Sequence, residues 1–171
     1  MKTTKTWVKW AVCGAIVACI ANLAKAEGEH RIGAGANYWV AVRNIDADNV
    51  KDNGFSYLAS YQYRRNLLGL ELDAEFLPDR FGRDAWAPAA YLLIGKTVYA
   101  GAGIGVINSD NDFASEPFYA IRAGLDLEVH TRIHLDISGN YRFNDKAQLE
   151  GDNTNIDTDT VFLGAAVRIT L

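Results

Sequence analysis

The sequence predicts an all-β fold, an eight-stranded antiparallel up-and-down transmembrane β-barrel. Three observations predict it. After Glu27 the hydrophobic period is two almost without interruption, the mark of strands that present one apolar and one polar face. The breaks between the runs alternate between long and short, as in barrels with tight turns on one side of a membrane and long loops on the other. The polar faces carry acids and bases in near balance. A solvated face needs no such balance, whereas a filled interior does, because an unpaired buried charge is costly.

The first 26 residues stand apart. Lys2, Lys5 and Lys9 precede an uncharged run from Trp10 to Leu23, and Ala24-Lys25-Ala26 follows as a small-x-small site. This is the three-part pattern of a secretory signal peptide, cleaved after Ala26. The run is shorter than the ~20 residues of a spanning helix. Ile16-Val17-Ala18-Cys19 is a second, weaker cleavage site that would leave Cys19 lipidated. Both cysteines, Cys13 and Cys19, lie in the leader, so the barrel domain, 27–171, has no disulfide, thiol nucleophile or thiolate metal site. Four of the 17 Lys and Arg, and none of the 21 Asp and Glu, are in the leader. The exported domain is therefore more acidic than the −4 of the whole chain, and nucleic acid is excluded as a partner.

Eight runs follow in order. The first, Arg31 to Arg43, puts Ile32, Ala34, Ala36, Tyr38, Val40 and Val42 on one face. The second, Phe55 to Arg64, puts Phe55, Tyr57, Ala59, Tyr61 and Tyr63 there. The third has Leu68, Leu70, Leu72, Ala74 and Phe76; the fourth has Trp86, Ala90, Leu92 and Ile94. The fifth is Thr97-Val-Tyr-Ala-Gly-Ala-Gly-Ile-Gly-Val-Ile-Asn108. The sixth has Tyr119, Ile121, Ala123, Leu125, Leu127 and Val129; the seventh Ile133, Leu135, Ile137, Tyr141 and Phe143. The eighth has Val161, Leu163, Ala165, Val167, Ile169 and Leu171.

Long breaks span Asn44–Asn53, Pro78–Asp84, Asn108–Glu116 and Asn144–Thr158. Short ones lie at Arg65-Asn66, Gly95-Lys96 and His130–Arg132. Phe55, Tyr57, Phe76, Trp86, Tyr119, Tyr141 and Phe143 all lie on the apolar faces near the long breaks. That clustering predicts an interfacial aromatic girdle on lipid. A soluble sandwich or lipocalin-like periplasmic binder would mix large residues along its core.

The opposite faces predict a lumen network. Its bases are Arg31, Arg64, Arg122, Arg142 and Arg168 with His134, and Arg43 shares their face. Its acids are Glu71, Asp73, Glu75, Asp126, Glu128 and Asp136. The short turn after the sixth run sets Glu128 opposite His134 and Asp126 opposite Asp136. Facing carboxylates repel, so an arginine, Arg168 or Arg122, is expected beside them. The fifth run sets Gly101, Gly103 and Gly105 inward. Eight strands leave an interior only just wide enough for side chains, so these glycines are expected to clear space for long arginines and aromatics from facing strands. Pro88 lacks a ladder donor, and a bulge is expected there.

With these features the sequence resembles the small outer-membrane β-barrel family that includes the transmembrane domain of outer membrane protein A, the X-type proteins and the opacity-type proteins. Tyr99-Ala100-Gly101-Ala102-Gly103-Ile104-Gly105 and the terminal run Val161 to Leu171 carry the likeness. The resemblance implies a bacterial outer-membrane location among lipid and surface lipopolysaccharide, insertion by the barrel-assembly machinery, and a monomer. The family commonly ends in phenylalanine or tryptophan, whereas this chain ends Arg168-Ile169-Thr170-Leu171.

Three classes of function fit a barrel of this size. Some barrels of this size modify lipids, and His134, Asp136 and Ser138 share one strand face. Their i, i+2, i+4 spacing separates neighbours by roughly 6.5–7 Å along the strand, too far for a hydrogen-bonded triad, so no catalytic residues are assigned. Asp46, Asp48 and Asp52, Asp110 and Asp112, and Asp152, Asp157 and Asp159 offer oxygen ligands for Ca²⁺, but none forms a twelve-residue calcium loop, and no metal or cofactor is assigned. A porin-like channel is the alternative to the favoured reading, a structural or surface-interaction barrel without a wide pore.

Overall fold

The computed structural model describes residues 28–42, 52–80, 84–109, 112–114, 117–143, 147–148, 155–156 and 159–171. The leader, Arg43 and most of the acidic loop residues, including Asp46, Asp48, Asp110, Asp152 and Asp157, lie outside them.

Eight long strands form the wall: β1 (Glu29–Ala41), β2 (Asn53–Arg65), β3 (Leu68–Leu77), β4 (Ala85–Gly95), β5 (Val98–Gly105), β6 (Phe118–His130), β7 (Ile133–Phe143) and β8 (Thr160–Thr170). Each pairs antiparallel with the next. β1 pairs with β8 from Arg31↔Thr170 to Ala41↔Thr160, which closes the ring. The Asn108–Ser109 and Asp112–Phe113 hairpin continues the wall beside the start of β4. Part of the long break after the fifth run is therefore wall.

Alternation sets the sidedness. On β4, Trp86, Leu92 and Ile94 are 52, 64 and 60% exposed, while the intervening Ala87, Tyr91 and Leu93 are 0, 1 and 0% exposed. The charged residues of the other strands follow the same alternation inward, while the large aliphatic residues face outward. From Ile32 to Val42 the outer face of the first run covers ten residue steps, which at ~3.3 Å each and a ~40° tilt is ~25 Å, the height of a lipid-facing band.

The aromatic residues read as a girdle lie on the outer face at the long-loop end. Phe55, Tyr57, Trp86, Tyr119 and Phe143 are exposed there, and Phe76 and Tyr141 half-exposed. Rings pair across strands or along one: Tyr38 with Phe55 at 5.3 Å, Phe76 with Trp86 at 4.9 Å, and Tyr141 with Phe143 at 4.7 Å. Tyr63 is the exception among outward residues. It is buried, and the His30 ring lies tilted against it at 5.1 Å.

Two expectations are corrected here. No bulge forms at Pro88. Ala89 pairs with Gly105 and Trp86 with Asn108, so both strands advance equally past the proline. Val106 still donates to the Pro88 carbonyl at 3.1 Å. The ladder loses a donor without gaining a residue, and the register survives. The observed irregularity lies between Glu128 and His130, before the last short turn. The glycines of β5, in turn, clear space for their neighbours in the wall. A Cβ at Gly101 would collide with Leu93, at Gly103 with the Tyr91 ring, and at Gly105 with the Phe118 ring. Arg122 of β6 then packs on the Tyr91 ring and Arg142 of β7 on the Phe118 ring.

Candidate functional site: a charged lumen and the cavity at its mouth

The interior is built in layers. At the centre Glu71 of β3 is fully buried. It accepts from Arg122 of β6 at 2.7 Å, from Arg168 of β8 at 2.8 Å and from the Gln62 amide of β2. Arg122 also donates to Asp73 at 2.7 Å, and its guanidinium lies 3.8 Å from the centroid of the Tyr91 ring. Arg168 pairs with Asp136 at 2.7 Å, and Asp136 accepts the Tyr99 hydroxyl at 2.8 Å. Three carboxylates and two guanidiniums from β3, β6, β7 and β8 thus lock together across the axis. In so dry a place each would be costly alone and is tolerable because it is paired and hydrogen-bonded.

Toward the long loops, Glu75 pairs with Arg142 and accepts from Ser56 and from the Asn37 amide. Arg142 lies between the rings of Phe118 and Phe162, at 4.6 and 4.1 Å. Above them Arg80 packs over Trp39 at 4.5 Å and donates to Thr160 at 2.6 Å. Cation–π contacts of this kind gain strength when desolvated, and Arg80 and Arg142 are 1 and 2% exposed.

Toward the short turns, Asp126 accepts from Arg31 at 2.5 Å and faces His134 Nδ1 at 3.1 Å. Arg31 also donates to Glu29 at 2.8 Å. Arg64 donates to the Gln62 side chain at 3.0 Å and to the Gly95 carbonyl at 2.8 Å. Below this layer opens a cavity of about 680 Å³, bounded by the ends of β1, β2, β6 and β7 and by the short turns after β2 and β4.

The structure brings together eleven of the twelve residues that the sequence placed in the lumen network: Arg31, Arg64, Glu71, Asp73, Glu75, Arg122, Asp126, His134, Asp136, Arg142 and Arg168 are all buried. Glu128 is the exception. It stands opposite His134 in register, but the irregularity beside it leaves it exposed at the rim. His134 instead faces Asp126 and, through Nε2, Glu29 at 3.5 Å. Asp126 does sit opposite Asp136, and each has its own arginine, Arg31 and Arg168. Arg122, the other candidate, goes to Glu71 and Asp73 because it reaches across to β3. His134 and Asp136 therefore take different partners, and no relay joins them to Ser138.

Arg80, Gln62 and Glu29 are lumen members that sequence reasoning did not single out. Arg80 comes from a connection, where alternation has no meaning. Gln62 shares the parity of Arg64 and Ser60, which was the available signal.

No family model and no curated protein matches the sequence. Solved structures do match in fold. Neisserial surface protein A superposes with a TM-score of 0.61 at 18% identity, over 83% of this chain and 97% of that one. The N-terminal β-barrel domain of Pseudomonas aeruginosa OprF gives 0.53 at 16%, over 85 and 100%. The outer membrane protein OprG from the same organism gives 0.51 at 16%, over 84 and 97%. The fold is that of the small eight-stranded barrels.

Proposed function

We propose that this chain is a bacterial outer-membrane barrel with a structural or surface-interaction role and a closed lumen. One observation carries the reading: the molecule is inside out, with paired charges within and Leu92, Ile94, Val98 and Leu163 more than half exposed without. Water does not favour such a surface, whereas hydrocarbon does. The ring has no open edge, as a strand wall in lipid requires. The central layer of Glu71, Arg122 and Arg168 crosses the axis, which favours a plug over a porin-like channel. The reading assigns no catalytic centre. It places the long loops outside the cell among lipopolysaccharide, the short turns in the periplasm, and the leader upstream as an export signal. It makes the protein a monomer, inserted by the barrel-assembly machinery.

The protein should fractionate with outer membranes and require detergent. Unheated and boiled samples should migrate differently on a denaturing gel, and planar bilayers should show no steady conductance above background. A freely soluble product with one migration position overturns the membrane reading; a stable conductance step revives the channel.

A further inference from the structure

The cavity at the short-turn mouth is divided by charge. Arg64 and Arg65 at the end of β2 and Lys96 in the turn after β4 line one side. Glu128 on β6 and Glu29 on β1 line the other. The strands follow one another round the ring, so the basic groups occupy the β2–β5 arc and the acidic groups the β6–β1 arc, the two meeting where Glu29 pairs in register with Arg64. Arg31, in the acidic arc, is already held by Glu29 and Asp126 at 2.8 and 2.5 Å.

The basic arc is under-compensated. Arg64 is 6% exposed and fixed in place. Its Nε donates to Gln62, its Nη1 to Gly95, and its guanidinium lies 5.1 Å from the centroid of the Tyr99 ring. Its Nη2 is buried and has no hydrogen-bond partner. Asp126 approaches Nη2 only to 3.8 Å while serving Arg31 and His134 more closely. Lys96 and Arg65 extend the positive arc to the rim, where Glu128 on the strand beside Lys96 is also exposed.

A cleft with low-dielectric walls focuses such fields. An anion in this mouth is attracted by one arc and repelled by the other, and a cation likewise. A ligand with both signs satisfies the two arcs at once, which is how complementarity sets specificity. Three cations exceed what one carboxylate balances and suit a phosphate. Carboxylates opposite suit a primary ammonium, whose N–H groups they accept. The volume is within the range of small-molecule sites. We propose that this cavity binds a zwitterion, its phosphate against Arg64, Arg65 and Lys96 and its ammonium against Glu29 and Glu128. Phosphoethanolamine, free or as a lipid headgroup, is the simplest molecule of this class.

The test is calorimetric titration of the refolded protein in non-ionic micelles, with the gel shift confirming the fold in each sample. Phosphoethanolamine should bind saturably and at least about tenfold more tightly than inorganic phosphate or ethanolamine alone. Arg65→Gln with Lys96→Gln, both at the exposed rim, should weaken phosphoethanolamine and phosphate alike by about tenfold. Glu128→Gln should weaken phosphoethanolamine and leave phosphate unchanged. In nanodiscs, blocking of the soluble probe by phosphatidylethanolamine but not phosphatidylcholine identifies a lipid headgroup as the occupant; no blocking by either identifies a soluble ligand. Both results support the site. Absence of saturable binding by correctly folded protein overturns it, as does phosphate binding as tightly as phosphoethanolamine. The gel shift separates either failure from failure of the barrel reading.

Discussion

At the scale of single residues, the absence of a side chain at Gly103 holds part of the lumen together. A Cβ there would displace the Tyr91 ring. That ring lies under Arg122 at 3.8 Å, and its hydroxyl accepts from Asn140 at 2.8 Å. Gly103→Phe should therefore cost about 1–3 kcal/mol or prevent folding, as overpacking does. Ala102→Phe, on the exposed face of the same strand, should be tolerated. Refolding yield into micelles compares the two, and the reverse order would mean the apolar face is the core. Arg168 is the corresponding polar position. It is 1% exposed and pairs with both Glu71 and Asp136. Arg168→Met should cost about 3–5 kcal/mol, the penalty for stranding buried carboxylates. Arg132→Met, at an exposed turn position, should stay within about 0.5 kcal/mol. Urea titration of the unheated gel band gives both values; equal effects would mean that the polar faces are solvent surface.

At the scale of the element, β4 shows how a wall tolerates a proline. In an extended strand a residue's N–H and C=O point to the same neighbour. The Pro88 carbonyl accepts from Val106, so the missing donor belongs to the β5 side, facing the Val106 carbonyl. The β3 side keeps its register through Ala74↔Pro88. Pro88→Ala should restore the bond, add a slowly exchanging amide at position 88 and stabilise the barrel by about 0.5–1.5 kcal/mol. Hydrogen exchange in micelles reads the new amide directly. Rapid exchange there would place the defect elsewhere. The short turns are equally local. Gly95 has φ 118° and a Cβ there would strike the Val98 carbonyl, so the tight β4–β5 turn depends on glycine.

At the scale of the whole molecule, the barrel depends on β1 meeting β8 along its length, from Arg31↔Thr170 to Ala41↔Thr160. Without that seam two strand edges would be left with unpaired backbone groups, each costing several kcal/mol wherever water is excluded. Deleting residues 160–171 should abolish the fast-migrating unheated band under every refolding condition. A truncated chain with a full-strength folded band would show that closure is dispensable. The same seam brings Arg168 into the lumen next to Glu71, so closing the wall and completing the central layer are one event.

Residue facing was determined by the sequence alone. Alternation placed Arg168 inward and Ile169 outward, Gly103 inward and Ala102 outward, and the spacing of the breaks counted eight strands. Both are local properties, because a strand's side chains alternate whatever it pairs with. Which groups meet was decided only by the tertiary structure. Arg31 rather than Arg122 serves Asp126, Glu128 leaves the network for the rim, and Arg80 enters from a connection to pack on Trp39. Partners across a lumen come from strands far apart in the chain. Their heights are set by the tilt and stagger of the closed ring, a property of all eight strands together that no single stretch of sequence encodes.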